Sequence, residues 1–178
     1  MDTPRVLIHA HRLRRRVRQL GRELSHDLAG QRPLFVPLLD GCFCFVADLV
    51  RAIHHPDLRL HFARSTSYHG GTQSSGEPIL ADIPDCTGHS VVLVDDILDT
   101  GNTLSRMSAA LRAAGAGRLL TCVLLDKPAR RQVPIEADYV GFTVPDLFVV
   151  GYGLDHGDRH RHLPHVCSLA APDADSPS

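Results

Sequence analysis

The sequence predicts an α/β domain with a mainly parallel sheet flanked by helices, and three observations carry that prediction. An apolar strand, a helix and a second apolar strand follow one another over residues 90–125. Such a crossover unit implies strands that run the same way. A further apolar strand at residues 33–40 leads straight into an apolar helix at 43–53, which repeats the pattern. The 178 residues carry 43% apolar and 22% charged side chains with a net charge of -1, enough to bury one sizeable core.

Along the chain, Leu13, Val17, Leu20, Leu24 and Leu28 recur at steps of three and four. Residues 6–28 are therefore expected to form one amphipathic helix. Arg12, Arg14, Arg15, Arg16, Arg18 and Arg22 lie between those apolar positions. Their density raises nucleic-acid binding, but no aromatic platform is interleaved and no basic excess follows elsewhere. A solvated helix face is expected, and nucleic acid is not expected as a partner. Residues 33–40 (PLFVPLLD) form a buried strand ending at Gly41, 43–53 a helix, and 58–63 another strand. Residues 65–78 (STSYHGGTQSSGEP) have no periodicity and are expected to form a flexible flap. A strand at 90–94, a turn at 95–101, a helix at 103–114 stopped by Gly115 and a strand at 118–125 come next. Residues 139–142 and 147–152 suit short strands, and 170–178 (AAPDADSPS) a disordered tail. No repeat or internal boundary interrupts the chain, so residues 1–178 are expected to be a single domain.

Composition narrows the function classes. Twelve Pro and fourteen Gly break up any coiled coil, and no apolar run approaches the roughly 20 residues of a membrane span. The polar and basic start after Met1 has no secretory or lipid-anchor pattern. Five scattered Cys, at 42, 44, 86, 122 and 167, are expected to be free thiols of a cytoplasmic protein. Of the nineteen basic residues, eighteen are Arg, and Lys127 is the single Lys.

The most informative stretch is VVLVDDILDTGNTL at residues 91–104. An apolar strand delivers two adjacent carboxylates, Asp95 and Asp96, at its carboxyl end, where open α/β sheets bind ligands. Asp99, Thr100, Gly101, Asn102 and Thr103 then turn into a helix start. Free backbone N–H groups there, a Gly that permits close approach and two Thr hydroxyls form a phosphate cradle. The acids suit ribose hydroxyls or a divalent cation. Neither the P-loop pattern GxxxxGKS/T nor a GxGxxG after a strand is present, which removes the main support for those nucleotide folds.

On these residues the chain resembles the type I phosphoribosyltransferases, and its surroundings are similar to their hypoxanthine-guanine branch. The central stretch looks like that family's phosphoribosyl-diphosphate motif. LLDG at 38–41, STSY at 65–68, LLDKPARR at 124–131, YVGFTVPDLFVVGYGLDH at 139–156 and RHRHLP at 159–164 fall in family order, so the likeness covers about residues 6–166. It implies the type I phosphoribosyltransferase fold, with a small hood built from both chain ends and a flap. It also implies purine salvage: transfer of the 5-phosphoribosyl group from 5-phosphoribosyl 1-diphosphate to hypoxanthine or guanine, giving IMP or GMP and diphosphate. A homodimer or homotetramer in the cytoplasm follows from the same likeness.

The resemblance also implies roles for individual residues. Asp95 and Asp96 would hold the ribose hydroxyls and assist Mg2+, with Asp155 as a further metal contact bordering the purine. Thr100, Gly101, Asn102 and Thr103 would take the 5-phosphate, with Ile97 and Leu104 completing that site. Asp99 would be the catalytic acid/base at the purine N7. Lys127 would donate to O6 of the purine, Phe148 would stack on it, and Val149 would meet its edge. Leu39, Asp40, Gly41, Ser67, Tyr68 and Arg161 would surround the diphosphate. One position departs from the family, whose loop commonly has a basic residue where Asp40 stands; backbone N–H groups are expected to make that contact here. His156, His160, His162 and His165 suggest a metal cluster less well than they suggest ordinary loop residues. Two alternatives remain: a xanthine-preferring transferase of the same fold, and a non-catalytic nucleotide sensor that binds nucleic acid.

Overall fold

The computed structural model describes residues 3–66 and 79–169. Its main sheet follows the order β5(Ile79–Ala81), β4(Ala63–Thr66), β2(Pro33–Leu39), β6(Ser90–Leu98), β7(Arg118–Asp126), β8(Tyr139–Thr143), with the short β3(Arg59–Leu60) also paired to β2. All of these pairings are parallel except β4 with β5. The expected parallel sheet is therefore present, and β2, β6 and β7 end on one rim.

Three helices cover the sheet: α1(Ala10–Asp27), α2(Phe43–Ala52) and α3(Asn102–Ala113). Strand periodicity decides which face each one meets. Val92, Val94 and Leu124 share a core with Leu13, Val17, Leu20 and Leu24 of α1 and with Phe45 and Leu49 of α2. Their neighbours Val91, Leu93 and Val123 pack with Leu104, Met107 and Leu111 of α3. Gly21 lets α1 and α2 approach closely, since a Cβ there would stand 2.6 Å from the Ala52 Cβ.

The first helix is shorter than its periodicity suggests. Residues 5–8 form β1(Arg5–Ile8), which pairs antiparallel with β10(Val166–Leu169), itself paired antiparallel with β9(Phe148–Val150). Val6 fits the helical stripe by spacing, whereas Ile8, two residues on, falls off it; the pair alternates as a strand does, and its backbone is satisfied in this second sheet. Both chain ends thus build the small hood. The strand expected at 58–63 divides into β3 and β4, and β6 continues through Asp95, Asp96 and Ile97 to Leu98, because Asp95, Ile97 and Leu98 still have parallel register partners on β7. Strand β10 and strand β5 are short and were not visible as periodic segments. The expected flap at 65–78 lies outside the described residues except for its first two positions, and so does the tail at 170–178. Among the described residues, no helix is long and apolar enough to cross a membrane.

Candidate active site

The rim of the main sheet holds a cavity of about 370 Å³, lined by residues 38–41 and 95–104. This brings Leu39, Asp40 and Gly41 together with Asp95, Asp96, Ile97, Asp99, Thr100, Gly101, Asn102, Thr103 and Leu104. Gly101 caps α3 with φ +87° and contributes no side-chain hydrogen bond. A Cβ there would meet Ile135 Cγ2 at 2.6 Å, so only glycine fits this turn. The first N–H groups of α3 consequently face the cavity, and the helix dipole adds positive potential. The Leu39–Asp40 peptide bond is cis. Asp40 is exposed, and its carboxylate makes no hydrogen bond or ion pair with a described residue.

Asp95 is 9% exposed and accepts the backbone N–H of Asp96 at 2.9 Å. Burial pushes its carboxyl well above the usual range, and the neighbouring Asp96 charge adds to the rise. Burial also raises Asp96, against the downward pull of the Asp95 hydrogen bond and the Arg161 charge. Gly41 is pressed onto this pair: a Cβ on it would stand 1.7 Å from Asp96 Oδ2. Two crowded carboxylates of this kind call for hydroxyl donors or a cation between them. Among the described residues, no three metal-ligating side chains gather, so a hard cation here would draw its other ligands from water and substrate oxygens, as Mg2+ commonly does.

Asp99 and Lys127 stand at adjacent strand ends. Leu98 and Asp126 are register partners, and the Lys127 N–H donates to Leu98 O at 2.9 Å. Lys127 is 5% exposed and makes no ion pair with a described residue, an unusual state for a lysine. Asp99 Oδ1 lies 2.9 Å from Arg130 Nε, yet that approach lacks hydrogen-bond geometry and the buried oxygen accepts no hydrogen bond. Arg131 ties the turn down: it pairs with Asp126 and donates to the carbonyls of Asp99 and, at 3.1 Å, Leu98. Arg130 and Arg131 were missed as site residues. Their signal was available, since both lie in LLDKPARR, but nothing local says that the guanidinium groups turn back onto residues 98–99.

The remaining site residues belong to the hood side and do not line the 370 Å³ cavity. Phe148 is 53% exposed, with the His156 ring edge-on at 5.1 Å, while Val149 is buried and paired with Ser168. Asp155 Oδ1 is ion-paired with Arg161 at 3.0 Å, and Arg161 also donates to Gly153 O at 2.9 Å. Gly153 in turn packs on the Gly41 carbonyl, where a Cβ would come within 2.2 Å. This contact joins the hood to the cavity. Asp155, expected at a metal, has a guanidinium as its partner in this arrangement. Ser67 and Tyr68 lie outside the described residues.

Comparison with known proteins agrees with this geometry. The phosphoribosyl transferase domain family matches residues 7–156. The hypoxanthine phosphoribosyltransferase of Salmonella typhimurium is 40% identical over 168 residues, 92% of this chain and 94% of that one. The bifunctional protein TilS/HprT of Listeria innocua is 44% identical over 93% of this chain, which spans only 26% of that longer protein. A crystal structure of a hypoxanthine-guanine phosphoribosyltransferase from Bacillus anthracis superposes with a TM-score of 0.86 at 34% identity, covering 96% of this chain and 99% of that one. With the fold, the cradle and the similarity all in register, this chain belongs to the phosphoribosyltransferase family, alongside its hypoxanthine and hypoxanthine-guanine members.

Proposed function

We propose that this protein is a purine-salvage enzyme that transfers the 5-phosphoribosyl group from 5-phosphoribosyl 1-diphosphate to hypoxanthine, and to guanine, releasing diphosphate. One observation carries the reading: Asp99, whose Oδ1 is ion-paired with Arg130, and Lys127, a buried lysine without an ion pair among the described residues, stand at adjacent strand ends. Lys127 lacks the partner that O6 of a 6-oxopurine would supply, and Asp99 keeps Oδ2 outside its ion pair with Arg130. Asp99 accepts the N7 proton as the base attacks C1 of the sugar, and Lys127 donates to O6. A donor at that point rejects adenine, whose 6-amino group is itself a donor.

The first turn of α3 holds the 5-phosphate, and the Asp95 and Asp96 carboxylates hold the ribose hydroxyls, which fixes C1 for in-line attack. Asp95 and Asp96 fit Mg2+ as partial ligands, and the ion supplies charge neutralisation on the departing diphosphate. Arg161 adds positive charge on the same side, and Asp155 borders it. The backbone around Gly41 meets the diphosphate, since Asp40 brings no cation. Phe148 offers its exposed face to the purine and Val149 its backbone. The proposed setting is the cytoplasm, in keeping with five free thiols. The proposed assembly is a homodimer or homotetramer.

The test is direct. The purified protein is incubated with 5-phosphoribosyl 1-diphosphate, Mg2+ and, in turn, hypoxanthine, guanine, xanthine or adenine, and nucleotide formation is followed by absorbance. Turnover with hypoxanthine and guanine is expected. Turnover with xanthine alone, or with none of the four, would overturn the reading.

A further inference from the structure

On the helical face of the molecule α1 and α2 enclose a second cavity, about 460 Å³ in volume. Arg14, Arg18 and Arg22 of α1 line it, together with Asp48 and Arg51 of α2 and the following His54. The three α1 arginines are spaced by four residues and so stand on one face. Like charges at that spacing repel. None of the three pairs with an acid among the described residues, and Glu23, the acid of α1 nearest to them, is already engaged by Arg16 at 3.1 Å and Gln19 at 2.8 Å. The wider balance points the same way: residues 1–22 hold seven arginines against one acid, Asp2, in a chain whose net charge is -1. No Phe, Tyr or Trp side chain lines the cavity, so it lacks the stacking platform on which single-stranded nucleic acid usually binds. Its volume falls in the ordinary range for a small-molecule site, and arginine is the residue suited to phosphate.

A chain of contacts links this groove to the phosphoribosyl site. Arg51 is ion-paired with Asp48 Oδ1. Asp48 Oδ2 accepts the Tyr152 hydroxyl at 2.6 Å. Tyr152 stands in the 151–154 turn at φ +53°, directly before Gly153, which packs on Gly41 and accepts Arg161. An anion that draws Arg51 toward itself leaves the Asp48 charge to Tyr152 alone, which strengthens that hydrogen bond and fixes the turn.

We propose that the α1–α2 groove binds a multiply phosphorylated ligand of about nucleotide size, and that its occupancy raises affinity at the phosphoribosyl site through Asp48 and Tyr152. The coupling, though not the binding, rests on the function proposed above. Inorganic tripolyphosphate is the probe. Calorimetric titration of the parent should show two sites, one removed by saturating IMP and the other lost in Arg18→Gln/Arg22→Gln. A second event that survives the double substitution, or a single IMP-competable event in the parent, overturns the groove assignment. If IMP removes neither event, the function proposed for the central site fails while the groove stands. Tighter binding of a single-stranded RNA than of tripolyphosphate at the groove overturns the small-ligand assignment.

For the coupling, competition at the central site is common to all variants. At equal tripolyphosphate, the parent should show a KM for 5-phosphoribosyl 1-diphosphate about fivefold below that of the double variant. Tyr152→Phe should keep both titrations and lose that difference. Equal KM values in parent and double variant, or a difference that persists in Tyr152→Phe, overturn the coupling.

Discussion

Residues 95–104 and residues 148–161, the two halves of the proposed site, are built by opposite routes. The first is one strand end, one turn and one helix start, contiguous in sequence and backed by packed core on both faces of the sheet. The second hangs on a three-stranded sheet made from both chain ends and meets the first through Gly153 on Gly41. Fixed charge and backbone donors concentrate in the contiguous part, where preorganisation accelerates chemistry. The hood contributes an exposed ring and an ion pair, which in the proposed reaction would position ligands. Substitutions in the first region should therefore lower kcat, and those in the second should act on KM.

The largest expected effect tests the first half of that contrast. Asp99→Asn keeps the shape of the turn and removes the proton acceptor, so kcat should fall roughly 10²-fold or more, with thermal unfolding little changed. Retained turnover would remove Asp99 from the role and with it the distinction between the two regions. Lys127→Arg should follow with about a tenfold loss in kcat/KM for hypoxanthine, because the broad guanidinium fork does not fit a buried point-donor position. Full activity of that variant would make the single lysine an accident of composition.

The same contrast explains what could be seen from the sequence. The cradle was legible because its parts are local: an apolar strand, two acids, a Gly at positive φ and a helix start occur in order within residues 91–104. The parallel sheet was legible for the same reason, through the crossover around α3. The hood was not, except by resemblance. Val6 continues the helical stripe while Val6 and Ile8 together alternate as a strand does, and pairing with residues 166 and 167, near the far end of the chain, decides between the two. Arg130 and Arg131 were hidden for a related reason, since their targets at residues 98–99 are about thirty positions away.

Phe148→Leu tests the second half of the contrast with a smaller effect. The ring is half exposed and belongs to neither main core, so its loss should leave folding intact. Losing an aromatic contact of about 0.5–1.5 kcal/mol should raise KM for hypoxanthine roughly 2- to 10-fold, with kcat nearly unchanged. A large fall in kcat would show that the hood shapes the chemical step and that the two regions are not separable.

The smallest expected effect concerns stability and separates the regions again. Asp95 has its carboxyl raised above the ordinary 3.8, chiefly by burial and then by the Asp96 charge. Between 3.8 and that raised value the folded chain keeps a proton that the unfolded chain has released, so stability falls as pH rises through this window. Above it the cost is complete. Asn in the same place can still accept the Asp96 N–H and carries no charge, so Asp95→Asn should unfold at a temperature higher by about 2–4 °C at pH 7, for a gain near 1 kcal/mol. The difference should vanish well below 3.8, at about pH 3 and lower, where the parent carboxyl is protonated in both states. Asp155 lies opposite a guanidinium at 3.0 Å, so Asp155→Asn should give no such gain at pH 7. A gain in both variants would mean that the Arg161 ion pair does not offset the cost of holding Asp155 charged, and that the two regions do not differ in this respect.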